Sequence, residues 1–326
     1  MKRRSSVKRP MVLYHAVSSY QLLEVMLHRK LVHSQERAVL LLPDFITEKY
    51  PWYRKLTSCH FFDEVYLFPY LHIPHTSEAQ VTVDTLDACR TVLPYPLTAF
   101  QAVYVAGAHF YFSLCLIQQQ IPFVFFEDAA GMLSRSEELK KNLSVRFPLH
   151  AQIAAKYGLF DGSCPAVSQI VCLKKAQTRD VSDDKYRDFS VMDALAGLSP
   201  KERRRFCRIF LKHPLHTSAD AVLLTQHFAN LGILSENGQR QLYASLRDGP
   251  LQGVRLVIKK HPDDTLDYRL IFPDARVIRQ VFPSELLPFV FRRKPKTVYT
   301  FSSTGAESLS PYFSVVRLDS GQPAGR

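Results

Sequence analysis

Short apolar runs rich in β-branched and aromatic residues alternate along this chain with segments of helical periodicity. This alternation constrains the fold strongly, because neighbouring parallel strands must be joined by a crossover connection, which is usually a helix. In the first half of the chain the pattern predicts strands over 11–17, 37–42, 102–106 and 122–126, and helices over 20–29 and 110–119. We therefore expect a doubly wound α/β domain in this half.

A polar, charged segment over 176–205 interrupts the alternation. It contains Ser199 followed by Pro200, a combination typical of a helix N-terminus. Beyond it the alternation resumes, with strands predicted over 221–225, 254–258, 275–278 and 297–301. The 326 residues are about twice the commonest domain length. We therefore predict two Rossmann-type parallel-sheet domains that face a central cleft, over 1–200 and 201–326.

The basic residues are unevenly distributed. Runs at 2–9, 201–205 and 292–296 hold 13 of the 42 lysines and arginines and one acidic residue, so the remainder carries 29 basic and 29 acidic residues. Such patches can contact anionic lipid or nucleic acid, and solvated surface charge is the simpler alternative. The chain lacks the motifs of common nucleic-acid-binding modules, so we expect no nucleic-acid partner.

The cysteines and the apolar stretches of the sequence indicate in which cellular compartment the protein is located. The six cysteines are widely spaced, with no C-x-x-C pair and no Cys/His cluster at metal-binding spacing, which indicates reduced thiols. The longest apolar stretch, 102–117, is shorter than the roughly 20 residues that span a bilayer, and the N-terminus lacks the apolar region of a signal peptide. We expect a cytoplasmic protein whose basic runs can hold it peripherally at the inner face of the cell membrane.

Polar side chains follow three of the predicted strands, at the strand ends where ligands bind in open α/β sheets. These groups are Glu127-Asp128, His261-Pro262 and Ser302-Ser303-Thr304. A carboxylate pair can supply a general base, a histidine can contact a phosphate, and hydroxyls with N–H groups at a helix start bind phosphate.

Each group also has a purely structural interpretation. The acid pair could cap a turn, and His261 could be a solvated loop histidine beside Asp263 and Asp264. Thr304 and Glu307 match a capping box, although capping and phosphate binding use the same N–H groups. The joint occurrence of three such strand ends in two α/β domains favours the functional interpretation.

The order of these motifs resembles bacterial sialyltransferases and polysialyltransferases of the GT-B fold, especially glycosyltransferase family 52 and its relatives. The resemblance covers most of the chain and is carried by the segments 17–23, 126–128, 224–226, 260–262, 282–287 and 301–304. It implies metal-independent, inverting transfer of sialic acid from CMP-sialic acid, without a cofactor. The acceptor it implies is a cell-surface glycan or glycolipid of the lipooligosaccharide or capsule type.

The resemblance also implies roles for residues. The first domain would lie on the acceptor side, where Asp128 would deprotonate the acceptor hydroxyl with Glu127 in support. In the second, nucleotide-sugar-binding domain, His261 would act on the donor phosphate. Glu285 would hydrogen-bond the nucleotide ribose, or only complement a helix dipole. The remaining donor-binding candidates are the phosphate-binding pair Ser302 and Ser303, together with Thr304, Lys260, Pro262, Ser18 and Ser19.

The acidic motif departs from the family pattern, in which glycine follows the acid pair directly. Here Ala129 and Ala130 precede Gly131, so either acid could be the base. The chain has no Asp-x-Asp triplet of the kind that metal-dependent sugar transferases use, and we expect no metal. Two alternatives stay open, namely transfer from another nucleotide sugar, such as glucosyl transfer, and a pseudoenzyme that only binds.

Overall fold

The computed structural model of the chain describes residues 9–301 and 308–318. The chain divides into two compact units between Leu195 and Ala196, and each unit contains one parallel β-sheet. This confirms the α/β class with two Rossmann-type parallel-sheet domains. The sequence placed the boundary at 200, shortly after this division.

The first unit contains a sheet of seven parallel strands among the described residues, in the order β3-β2-β1-β4-β5-β6-β7. The strands are β1 (Met11–His15), β2 (Arg37–Pro43), β3 (Glu64–Phe68), β4 (Ala102–Ala106), β5 (Phe123–Phe126), β6 (Val167–Cys172) and β7 (Tyr186–Asp188). The chain runs from β1 outward to β3 on one side, and from β4 outward to β7 on the other. The topological switch point, where doubly wound sheets bind ligands, therefore lies at the carboxyl ends of β1 and β4.

The crossover helices of this unit follow the strands that they connect. In chain order they are α1 (Ser19–Val32), α2 (Ile46–Lys49), α3 (Lys55–Ser58), α4 (Glu78–Val92), α5 (Phe112–Gln118), α6 (Ser136–Arg146) and α7 (Pro148–Lys156), and α8 (Val191–Gly197) spans the division between the units. Every residue of β1 and β5 is buried, as expected for strands covered on both faces. Their apolar side chains contribute to the core, in which Leu13 and Phe125 lie.

The second unit repeats this architecture with a smaller sheet. Its described strands are all parallel, in the order β10-β9-β8-β11-β12. They are β8 (Ala221–Leu224), β9 (Leu256–Lys259), β10 (Arg276–Ile278), β11 (Thr297–Thr300) and β12 (Ser314–Arg317). The helices whose bounds lie within the described residues include α9 (Pro200–Phe210), α10 (Glu236–Asp248) and α11 (Leu287–Val290). Ser199 caps α9 in a capping box with Glu202, where the sequence predicted a helix start. No helix within the two described ranges has the length and apolar character needed to cross a membrane.

The sequence did not predict β3, β6, β7 and β12. Four of the five residues of β3 are only partly buried, and β7 has three polar or aromatic residues at the sheet edge. Strands that are short, exposed or at an edge carry little hydrophobic periodicity. By contrast, the buried strand β4 has the predicted bounds.

Gly107 allows the chain to turn at the switch point. It follows β4 with a φ of +77°, and a Cβ atom at this position would lie 2.5 Å from Cγ2 of Val17 in the segment after β1. Only glycine accepts both the left-handed backbone and this close approach. The loop after β4 can therefore lie directly against the start of α1.

We expect Gly107→Ala to lower the free energy of unfolding by about 2–4 kcal/mol, because backbone strain adds to the overlap with Val17. Gly253→Ala is the control, since Gly253 has a φ of +74° with no atom within 4 Å of its Cβ position. It should cost about 1 kcal/mol through strain alone. Urea unfolding followed by circular dichroism measures both, and equal losses would show that the approach to Val17 imposes no constraint.

Candidate functional site

Asp128 lies at the carboxyl edge of the first sheet and is separated from the end of β5 only by Glu127. Its Oδ1 accepts a hydrogen bond of 2.6 Å from Nε2 of Gln21, and its side chain is 27% exposed. Burial raises the pKa of Asp128 to about 6, and the hydrogen bond from Gln21 opposes this rise. A partly exposed carboxylate with a pKa near neutrality is suited to general-base chemistry.

Gln21 connects the start of α1 to this carboxylate. Its Oε1 accepts a 2.9 Å hydrogen bond from the backbone N–H of Val17. Because that N–H can only donate, the amide oxygen must face Val17, and the amide NH₂ must face Asp128. The sequence included Gln21 in a motif without giving it a role. The one sequence feature that could have identified Gln21 is that it is a polar residue among apolar neighbours at the start of a predicted helix.

His109 is the second titratable group near Asp128. Its Nδ1 lies 3.9 Å from Oδ1 of Asp128, which is too long for a hydrogen bond. Burial lowers the pKa of His109 to about 4, so the ring is neutral at neutral pH. Its carbonyl oxygen is hydrogen-bonded to Nε2 of His150, whose Nδ1 in turn is 2.7 Å from the Tyr70 hydroxyl. Asp128 therefore has no cation at this position that would lower its pKa.

Glu127 is held quite differently from its neighbour. Its side chain is buried, and Oε1 accepts a 2.7 Å hydrogen bond from the N–H of Leu173. Oε2 accepts hydrogen bonds from Nε2 of Gln177 (2.8 Å) and from the N–H of Leu133 (3.3 Å). Burial raises the pKa of Glu127 to about 7, and these hydrogen bonds oppose the rise. Glu127 thus ties the loop after β5 to the segment after β6.

The displaced glycine of the acidic motif closes a turn. The N–H of Met132 donates to the carbonyl oxygen of Ala129 at 2.8 Å, and Gly131 has a φ of +79°. A Cβ atom on Gly131 would lie 3.0 Å from the carbonyl oxygen of Ala176. Gly131 therefore occupies a left-handed position in this turn, which favours glycine.

In the second unit, a buried network holds the loop after β9. Asp264 accepts hydrogen bonds from Thr225 Oγ1 (2.7 Å), the Tyr268 hydroxyl (2.7 Å) and Gln239 Nε2 (3.0 Å). Thr225 Oγ1 also accepts from the N–H of His261 at 3.1 Å. This network fixes the position of the His-Pro segment, so Asp264 is a buried anchor of the loop and not a solvated acid.

His261 lies beside a second histidine. Its Nδ1 accepts a 3.1 Å hydrogen bond from the N–H of Asp263, which places the proton of the neutral ring on Nε2. The ring of His227 stacks on it, with centroids 3.8 Å apart and planes 16° apart. The sequence did not identify His227, because its relation to His261 depends on the pairing of β8 with β9.

The two histidines and Asp263 form a group that could hold a metal ion, since their ligand atoms lie within 4.8 Å of one another. An imidazole binds a metal along the lone pair in the plane of its ring, at about 2.0–2.1 Å for zinc. Two rings stacked nearly parallel cannot both direct that lone pair at one ion without turning. Binding of one metal ion by both imidazoles would therefore require the rings to turn out of their stacked arrangement.

Glu285 and Lys259, the last residue of β9, are two buried groups that interact electrostatically. Both side chains are buried, and Nζ of Lys259 lies 5.0 Å from the centroid of the Phe282 ring. Burial raises the pKa of Glu285 and lowers that of Lys259 to about 8, and the opposite charge of each residue opposes the shift of the other. Lys259 was not predicted as a site residue.

The other predicted donor-binding residues have local contacts or lie outside the described ranges. Ser18 is the N-cap of α1, and Ser19 is buried in its first turn. Lys260 donates through Nζ to the carbonyl oxygen of Leu266 at 2.7 Å, and Pro262 is partly buried. The predicted residues Ser302, Ser303 and Thr304 lie outside the described residues.

Sequence comparison finds one distant relative of part of the chain. No protein-family model matches this sequence. An uncharacterised protein of Haemophilus influenzae is 29% identical over 157 residues, which are 47% of this chain and 49% of that protein. The match thus spans about half the length of this curated relative.

Structural comparison finds similar folds over nearly the whole chain. The S. aureus MnaA–UDP co-structure has a TM-score of 0.55 at 11% identity and covers 95% of this chain and 79% of that one. UDP-GlcNAc 2-epimerase from Neisseria meningitidis bound to UDP-GlcNAc has a TM-score of 0.52 at 16% identity (94% and 82%). UGT89C1 of Arabidopsis thaliana complexed with quercetin has a TM-score of 0.51 at 13% identity (95% and 79%). The chain therefore has a GT-B-like fold, as the sequence predicted.

We expect Glu127→Gln to lower the free energy of unfolding by about 1–3 kcal/mol, because the new amide NH₂ would face buried N–H donors that need an acceptor. Glu137→Gln is the matched control, because the Glu137 side chain is 84% exposed on α6. It should change stability by less than about 0.5 kcal/mol. Chemical denaturation measures the free energy of unfolding of both variants. An unchanged value for Glu127→Gln would show that Glu127 does not stabilise the contact between these loops.

Proposed function

We propose that this protein is a glycosyltransferase that transfers a sugar from a nucleotide-sugar donor to a hydroxyl group of a glycan or glycolipid acceptor. The observation that carries the proposal is Asp128, a partly exposed carboxylate oriented by Gln21 near the switch point, with a pKa raised to about 6. The GT-B-like fold supports a nucleotide-sugar donor, because two of the similar structures contain UDP or UDP-GlcNAc.

In the proposed reaction, Asp128 accepts the proton of the acceptor hydroxyl while the hydroxyl oxygen attacks the anomeric carbon of the donor sugar. The bond between that carbon and the phosphate oxygen breaks, its electron pair leaves with the phosphate, and the anomeric configuration inverts. A positioned base contributes about 10²–10⁴ to the rate of such a step. Gln21 keeps the carboxylate in place, and Glu127 keeps the loop in place.

The second unit would bind the donor. The Nε2–H of His261 is a donor for the leaving phosphate, and His227 beside it supplies a second imidazole. Glu285 would hydrogen-bond the ribose, with Ser302 and Ser303 on the phosphate. Hydrogen-bond donors aimed at the charge that develops on the leaving group lower the barrier without a metal ion.

We propose CMP-sialic acid as the donor, because the order of the acid pair, the His-Pro segment and the serine pair resembles sialyltransferases. A UDP-sugar donor is the second candidate, and it is favoured by the UDP ligands of the similar structures. The proposed acceptor is a cell-surface glycan such as a lipooligosaccharide or capsule, glycosylated in the cytoplasm at the inner face of the membrane.

Asp128→Asn should lower kcat by about 10²–10⁴ while nucleotide affinity stays nearly unchanged, because the amide cannot accept the proton. The wild-type rate should fall as the pH drops below about 6, where Asp128 becomes protonated, and the residual rate of the variant should lack this inflection. Sugar transfer is measured by product formation. Loss of turnover in Glu127→Gln with an active Asp128→Asn would identify Glu127 as the base instead, and a wild-type protein that binds nucleotide without turnover would indicate a pseudoenzyme.

Cytidine nucleotides should raise the melting temperature of the protein, because a ligand that binds only the native state stabilises it. His261→Ala should weaken this effect and also slow transfer, since the ring would contact the leaving phosphate. Thermal shift with CMP, CDP, UDP and GDP makes the comparison. Stabilisation by UDP but not by CMP would overturn the donor assignment and select the UDP-sugar alternative.

Transfer activity should survive EDTA, because the proposed site stabilises the leaving phosphate with imidazoles and backbone N–H groups. EDTA treatment tests the site directly, because His227 and His261 belong to the group of residues that could hold a metal ion. Loss of turnover that magnesium, manganese or zinc restores would show that these residues hold a metal ion after all.

A further inference from the structure

Two of the three basic runs meet on one surface of the second unit. The run at 201–205 lies in α9, the run at 292–296 follows α11, and these two helices contact each other. A cavity of about 620 Å³ opens between them. Its cationic lining residues are Arg203, Arg204, Arg208, Lys212 and Arg292. We call this cavity the α9 groove.

The charge of the α9 groove is not compensated within the described part of the chain. Arg204, Arg208 and Arg292 are exposed, and none of the three is in an ion pair there. The described residues that line the groove include no acidic side chain. Glu202, the acid within the run, accepts hydrogen bonds from Oγ and N of Ser199 at the start of α9. Clustered cations repel one another, so an anionic ligand would relieve this repulsion.

The floor of the α9 groove is apolar. Buried side chains of Leu211, Val290 and Phe291 lie there. The guanidinium of Arg203 lies 4.7 Å from the centroid of the Phe289 ring, so the cation covers the aromatic face beside the floor. The groove thus combines an apolar floor with a rim of cations, which suits a ligand that is both anionic and apolar.

We propose that the α9 groove docks the protein on an anionic phospholipid membrane. The arginines and Lys212 would contact lipid phosphates, and the apolar floor would contact the adjoining acyl carbons. A single-stranded nucleic acid is disfavoured, because its bases stack on aromatic faces, and Arg203 covers one face of the Phe289 ring. This proposal does not rest on the transferase activity and can be tested without it.

The test is cosedimentation of the full-length protein with vesicles at low salt. We expect binding to vesicles of phosphatidylglycerol mixed with phosphatidylcholine, no binding to pure phosphatidylcholine, and weakening as salt is added. The double variant Arg204→Glu/Arg208→Glu should reduce partitioning about tenfold or more, since each cation near an anionic surface contributes to binding. Arg204→Lys/Arg208→Lys keeps both charges and should retain most of the binding.

Arg90→Glu/Lys141→Glu is the matched control, because it makes the same change in net charge at exposed positions of α4 and α6 in the first unit. It should leave partitioning nearly unchanged. Equal losses of vesicle binding in both double variants would mean that the protein is attracted by its overall charge, and this would overturn the proposal that the α9 groove is the docking site. Equal binding to neutral vesicles would overturn the role of charge. The protein could instead fail to bind vesicles and bind a single-stranded oligonucleotide. If the Arg204→Glu/Arg208→Glu variant then lost the oligonucleotide, the groove would be a nucleic-acid surface.

Discussion

Parallel pairing of all the described strands brings the carboxyl ends of the strands in each sheet to one edge, and the candidate site depends on this constraint. Interior strands such as β1 and β5 are fully buried, so polar side chains without partners would be costly within them. The candidate site residues therefore come after the strands. His109 follows β4, Asp128 follows β5, and His261 follows β9.

The adjacent acids Glu127 and Asp128 show how tertiary contacts separate two chemically similar groups. Burial raises the pKa of both. Glu127 meets the N–H groups of residues 40 or more positions further along the chain, which explains why this buried carboxylate is tolerated. Asp128 has one amide donor and retains exposure to solvent. One acid thus organises the loop that carries the other, and Asp264 has the same organising role in the second unit.

The sequence predicted the fold class and most of the central strands, because a buried strand carries its own apolar pattern. It also placed the acid pair and the His-Pro segment at strand ends. It failed at edge strands such as β7, where partial exposure removes the pattern. It also missed Gln21 and His227, whose roles come from partners elsewhere in the chain. Gln21 is 107 residues from Asp128, so no local motif marks their contact.

The sequence by itself determined two parallel-sheet domains and the residue types at their strand ends, since hydrophobic periodicity and turn chemistry act over a few neighbouring residues. Only the tertiary structure decided that Glu127 is enclosed by N–H donors while Asp128 stays accessible. It also decided that basic runs about 90 residues apart line one groove. The physical reason is that desolvation, hydrogen-bond partners and charge clustering depend on which distant segments meet in space.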